Sequence, residues 1–345
     1  MPLPHPPNNI DAIRISLALL VLFSHSYDVA LGTNDQEPLK LLTRGQFSLG
    51  ELAVDGFFIL SGYLVSQSWA NSSTAASFLR KRFWRVFPGY WMATAICLFA
   101  IAPCVSSFDL VQLLQDNGWR ALLLRGVYVP TSFPTNPYPG VMNGSLWSIS
   151  CEWWCYIGLL MLGIMTVLNQ RSLVLALFAA SLIVSVQFDG ADLNWPTGGG
   201  VLGVVFGAPR IWVRMLPMFL AGMTAFAFRR SLAFTPRAAV LAMIGLAVAA
   251  RTPPLLTLAA PTLGAYLLLY LGFAFPFCWR SAAARGDPSY GIYLYAFPIQ
   301  QIIVSSAGYR LAPGELFTVA LLPTIAAGYL SWHLIEKRFL PRRTR

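Results

Sequence analysis

The chain has 345 residues, of which 56% are apolar and 11% charged, and its formal net charge is +10. That composition leaves too little polar surface to coat a soluble protein, so it excludes a soluble domain and predicts an all-α integral membrane protein. The positive charge does not point to nucleic acid, because the basic residues lie at the ends of apolar runs and are not interleaved on a soluble face.

In chain order, hydropathy predicts a polytopic helix bundle of about ten transmembrane spans, roughly 15–31, 50–68, 86–106, 146–168, 172–187, 211–228, 237–250, 255–276, 289–307 and 315–335. The fifth and seventh are the weakest. No basic segment precedes the first run and no small-residue cleavage site follows it, so it reads as a retained helix and not a signal peptide. With N- and C-termini both cytosolic, 16 of the 24 Lys and Arg fall on the cytosolic side, the asymmetry that the positive-inside rule requires. No fixed-period repeat or low-complexity linker divides the chain, and residues 1–345 read as a single membrane domain with no appended soluble domain.

The first span holds His25 deep in its apolar run, and ionisable groups so placed are costly and tend to be functional. Arg14 lies eleven residues earlier, which on a helix is a rotation of about 20° and a rise of roughly 16 Å, so the two share one face. Asp11 joins that face. In the second and fourth spans Asp55 and Glu152 each lie about 10 Å from the outer end, close to the depth of His25. Three ionisable groups at one level suggest a shared cavity; separate satisfaction of each within helix packing is the structural alternative. At the opposite boundary Arg82 and Arg85, three residues apart, could present two guanidinium forks to a phosphate, or serve only as topology anchors.

The five cysteines, Cys97, Cys104, Cys151, Cys155 and Cys278, sit in or beside apolar runs as packing groups. Cys151 and Cys155 flank Glu152 at helical spacing, but no histidine lies near them in sequence and no metal is expected.

Four ordered motifs resemble the acyltransferase-3 family of membrane acyltransferases: Asp11-Ala12-Ile13-Arg14 with His25 eleven positions on; Val54-Asp55-Gly56-Phe57-Phe58-Ile59-Leu60-Ser61-Gly62-Tyr63; Arg82-Phe83-Trp84-Arg85 with Pro88 and Tyr90; and Gly144-Ser145-Leu146-Trp147-Ser148-Ile149-Ser150-Cys151-Glu152 with Tyr156. Ser289-Tyr290-Gly291-Ile292-Tyr293-Leu294-Tyr295 and Ser331-Trp332 with Glu336 extend the likeness to nearly the whole chain. The resemblance implies an enzyme of about ten helices that moves an acyl group, usually acetyl, from cytosolic acyl-coenzyme A to a hydroxyl of an extracytoplasmic glycan. It implies a catalytic role for His25, a basic partner in Arg14, and donor binding or site organisation by Arg82 and Arg85. Many relatives have a histidine where this chain has Ala296, so no role is carried to that position. The localisation implied is the bacterial cytoplasmic membrane.

The physical logic is consistent with that expectation. Coenzyme A carries phosphates at one end and its thioester at the end of a long thin arm, which suits a line from cytosolic arginines to His25. His25 would act as general base, with Glu152 favoured over Asp55 to orient the imidazole, or as an acyl carrier. An outer loop, 107–143, ends in a Pro-rich stretch with aromatic and amide groups suited to sugars, and a second loop, 189–200, adds Trp195. A proton-coupled secondary transporter is the competing class, since buried His, Asp and Glu also build proton relays.

Overall fold

The structure is a computed structural model that describes residues 9–107, 109–188, 203, 205–276, 286–308 and 310–340. Among the described residues it is all helix, with no strand. The principal helices are α1 (Ile10–Leu31), α2 (Leu49–Ala70), α3 (Ala75–Val105), α4 (Leu110–Leu122), α5 (Trp147–Ile164) and α6 (Arg171–Phe188). There follow α7 (Pro209–Ala227), α8 (Pro236–Ala249), α9 (Leu255–Phe273), α10 (Ser289–Ala307) and α11 (Pro313–Phe339).

Among the described residues seven of these, α1, α2, α3, α5, α6, α9 and α11, are long and apolar enough to cross a membrane. Every span expected from hydropathy falls on a helix, but α8, with 14 residues, is only about 21 Å long. Helix α7 carries Arg214, which pairs with α2, and α10 carries buried Ser289, Tyr293, Tyr295, Gln300 and Gln301, so their mean hydropathy is diluted by groups that face protein and not lipid.

Local chemistry sets the ends. Ser48 and Glu51 form a capping box that starts α2, and Thr74 accepts from the Ser77 amide to start α3. Gly32 closes α1 with φ of 78°, a left-handed conformation in which its amide reaches the Asp28 carbonyl. Small residues then let helices touch. A Cβ at Gly62 would stand 2.0 Å from the Phe219 carbonyl oxygen, and one at Gly222 would stand 2.0 Å from that of Ile59, so the backbones of α2 and α7 are in direct contact. Helices α10 and α11 meet in the same way at Gly291 and Gly328. A single apolar cluster joins buried residues of α1, α2, α3, α5, α7 and α10, and the polar groups described next are set into it.

Candidate active site

Two narrow cavities run end to end among α1, α2, α3, α5 and α10, and share Arg14, Phe57, Glu152 and Tyr290 as walls. The first, of about 90 Å³, is lined by Arg14, Arg82, Arg85 and Tyr156; the second, of about 60 Å³, continues past Glu152 to Ser148, Ile149 and Tyr293. Ser148 and Ile149 belong to the first turn of α5, and Ser148 Oγ lies 2.6 Å from Tyr293 OH, one turn along α10 from Ser289.

The arginine end is organised by a residue that the sequence pattern did not single out. Asp287, just before α10, accepts from Arg14 Nη1 at 2.5 Å and from Arg85 Nη2 at 3.1 Å, and also from the Ser289 amide and hydroxyl. Burial pushes the Asp287 carboxyl up, but the two guanidiniums and the Ser289 hydrogen bonds outweigh it and pull it down to about 2. Arg85 also stands 3.7 Å from Glu336, which a π-helical turn over Trp332–Glu336 carries into the bundle and which accepts from Ser331 Oγ. Arg14 and Arg85 are therefore already ion-paired. Among the described residues Arg82 has no carboxylate at salt-bridge distance; its buried Nε has no hydrogen-bond partner, and the guanidinium lies 6.0 Å from the Tyr156 ring centre. Glu152 Oε1 accepts from Tyr156 OH at 2.5 Å and from Ser61 Oγ at 2.9 Å, which fixes it in the wall between the two cavities.

His25 lies further along α1. Its Nδ1 stands 3.3 Å from Asp28 Oδ2, one helical turn on, and its ring meets that of Phe297 edge to face at 5.1 Å. With the proton on Nδ1 donated to Asp28, the Nε2 lone pair is left to act as a base. The carboxylate beside His25 is thus Asp28; Glu152 and Asp55 have other partners. Asp55, expected at the same depth, takes two hydrogen bonds from Arg214, from Nε at 3.2 Å and Nη2 at 3.0 Å, while Nη1 of the same guanidinium donates to Glu51 at 2.6 Å.

Over His25 the outer loop is fastened down by buried amides. Asn136 donates to the Gln301 backbone and side chain at 2.9 and 2.7 Å, Gln301 donates to the Tyr138 and Val141 carbonyls, and Asn143 donates to the Leu294 carbonyl. Those amides are spent on holding the loop. The half-buried Tyr138 of this loop has its ring 6.1 Å from that of Phe297, which also meets His25. The second loop, 189–200 with Trp195, and Cys278 lie outside the described residues. Among the described residues no group of three or more His, Cys, Asp or Glu could hold a metal ion.

Residues 8–333 match the family model described as an acyltransferase domain. The chain is 26% identical to an O-acetyl transferase of Shigella phage Sf6 over 360 aligned positions, covering 98% of this chain and 97% of the relative. It is 28% identical to nodulation protein 10 of Rhizobium leguminosarum bv. viciae, covering 98% and 94% of the two chains, and 26% identical to the exopolysaccharide production protein ExoZ of Rhizobium meliloti, covering 87% and 92%. No solved structure matches the chain significantly.

Proposed function

We propose, for a chain that belongs to the acyltransferase-3 family and is therefore a membrane O-acyltransferase, that it moves acetyl from cytosolic acetyl-coenzyme A to a hydroxyl of an extracytoplasmic glycan. Polysaccharide, lipopolysaccharide and glycolipid are the acceptor classes; the exopolysaccharide relative supports a polysaccharide acceptor and the phage relative supports O-acetyl transfer. The chain works as one membrane domain of about ten spans in the bacterial cytoplasmic membrane, with both termini cytosolic. The secondary-transporter alternative is not favoured, since the relatives carry acyltransferase names.

One observation supports the reading: two adjoining cavities lined at one end by Arg82, whose buried Nε has no hydrogen-bond partner among the described residues, and, eleven residues along α1 from Arg14, an imidazole backed by a carboxylate. Arg82 offers the donor phosphates a guanidinium with an unfilled donor, and Arg14 and Arg85 add charge from their pairs with Asp287. The cavities are narrow, which suits a thin pantetheine arm and excludes a sugar ring. His25 Nε2 takes the proton of the acceptor hydroxyl as its oxygen bonds to the acyl carbon, and the carbon–sulfur bond breaks to release the thiolate, which takes up that proton. Asp28 holds the imidazole in the required tautomer. Glu152 positions Tyr156 and Ser61 along the arm.

Purified protein in nanodiscs, given radiolabelled acetyl-coenzyme A and candidate glycans, tests this. Label moves to glycan with the unmodified chain, and His25→Gln or His25→Ala abolishes transfer while membrane insertion and donor affinity are kept. Near-normal acetylation by either variant would remove His25 from the reaction.

A further inference from the structure

A third cavity, of about 520 Å³, opens at the same end of α2 as Arg82 but on the opposite face of that helix, among the ends of α2, α5, α6 and α7. Arg171, Arg229 and Arg230 line it and no carboxylate does. Phe226 lies 3.9 Å below the Arg229 guanidinium and Phe228 lies 5.9 Å from that of Arg171, so the charges are held near the cavity while remaining solvated. Lys81 reaches its rim, donating to Ser72 Oγ at 3.2 Å.

Met223 lines this cavity and also a fourth, of about 580 Å³, between α5 and α7, whose walls are apolar. Aromatic residues close the far end of that groove. Trp154 Nε1 donates to the Val205 carbonyl at 3.0 Å and Trp212 Nε1 to the Phe206 carbonyl at 2.8 Å. From Met223 to Trp212 is eleven residues, a run of roughly 16 Å, or about half of a 30 Å hydrocarbon core. A basic basin therefore continues into an apolar groove one leaflet deep.

We infer that the two joined cavities hold one anionic phospholipid, with its phosphate among Arg171, Arg229 and Arg230 and an acyl chain along α5 and α7. Topology-anchoring arginines would account for the charge but not for a concave basin, nor for its continuity with the groove. A free phosphate or a nucleotide would use the arginines and leave the groove without purpose. Basic pockets between spans are known to take anionic headgroups, and a headgroup carrying its own ammonium would set that cation against three others.

Native mass spectrometry of the purified full chain, released from micelles holding equal phosphatidylglycerol and phosphatidylcholine of one chain length, tests the site. One phosphatidylglycerol per chain is retained, at least about fivefold in excess over phosphatidylcholine. The triple variant R171Q/R229Q/R230Q lowers that retention about tenfold. So does G158F, which places a ring in the groove where a Cβ meets nothing within 4 Å and leaves the arginines untouched. Equal retention of the two lipids by the unmodified chain overturns the proposal without recourse to any variant. Full retention by G158F reduces the basin to a phosphate site and overturns it too, as does displacement of the lipid by coenzyme A, which would give the arginines to the donor.

Discussion

His25 and Asp28 lie one turn apart on the same helix, and the 3.3 Å contact between them is made before any substrate arrives. Under the proposed function a carboxylate so placed positions the imidazole. Asp28→Asn is therefore expected to lower kcat by about tenfold or more while donor affinity stays at its normal value, and Asp28→Glu is expected to recover part of the loss. Glu152→Gln should do the reverse, weakening coenzyme A binding by removing the carboxylate that holds Tyr156 and Ser61. Calorimetry with coenzyme A beside steady-state kinetics separates the two; a Glu152→Gln variant with lowered kcat and unchanged affinity would return Glu152 to the imidazole. The placement of His25 and Arg14 on one face was legible as an eleven-residue interval, whereas Asp28 was missed in favour of Glu152, although its three-residue spacing from His25 was the signal that could have found it. The partners of Arg14 and Asp55 were not. Asp287 lies 273 positions from Arg14, and Arg214 lies 159 from Asp55, separations that no local periodicity encodes.

Between elements, α2 and α7 are in backbone contact at Gly62 and Gly222, and Arg214 crosses the same seam to Asp55 and Glu51. The two acids differ in burial, with Asp55 1% exposed and the Glu51 side chain 42% exposed. Removing the charge of buried Asp55 leaves the half-buried Arg214 guanidinium with the exposed Glu51 alone, a loss of about 1.5–3 kcal/mol, whereas the exposed Glu51 pair is worth about 1 kcal/mol or less. Thermal unfolding in detergent should show Asp55→Asn well below the unmodified chain and Glu51→Gln close to it. A stable but inactive Asp55→Asn would place Asp55 in the chemistry. Hydropathy located α7 and α10 but could not say that Arg214, Gln300 and Gln301 face helices and not lipid, since that depends on neighbours the pattern does not specify.

Across the whole molecule, Asp287 draws α1 and α3 to the start of α10, and Glu336 adds α11 to the same knot through Arg85. Because the Asp287 carboxyl is held down to about 2, its contribution is complete above its ordinary value near 4 and is lost as pH falls through about 2. Asp287→Asn should accordingly unfold more easily than the unmodified chain at pH 7, by about 2 kcal/mol, with the gap closing as pH drops from 4 toward 2. Unfolding scans at several pH values read this directly, and a gap that does not change with pH would mean that the pairs contribute packing alone.

At the other end of the bundle Asn136, Asn143 and Gln301 tie the outer loop to α10. Helix α10 is thus held at its start by arginines and through its middle by amides, at Leu294 and Gln301. A carrier needs at least one slack end, because it exposes its contents first to one side and then to the other by rocking. Under the proposed function no such rocking is needed, since donor and acceptor keep to their own sides and only an acyl group passes between them.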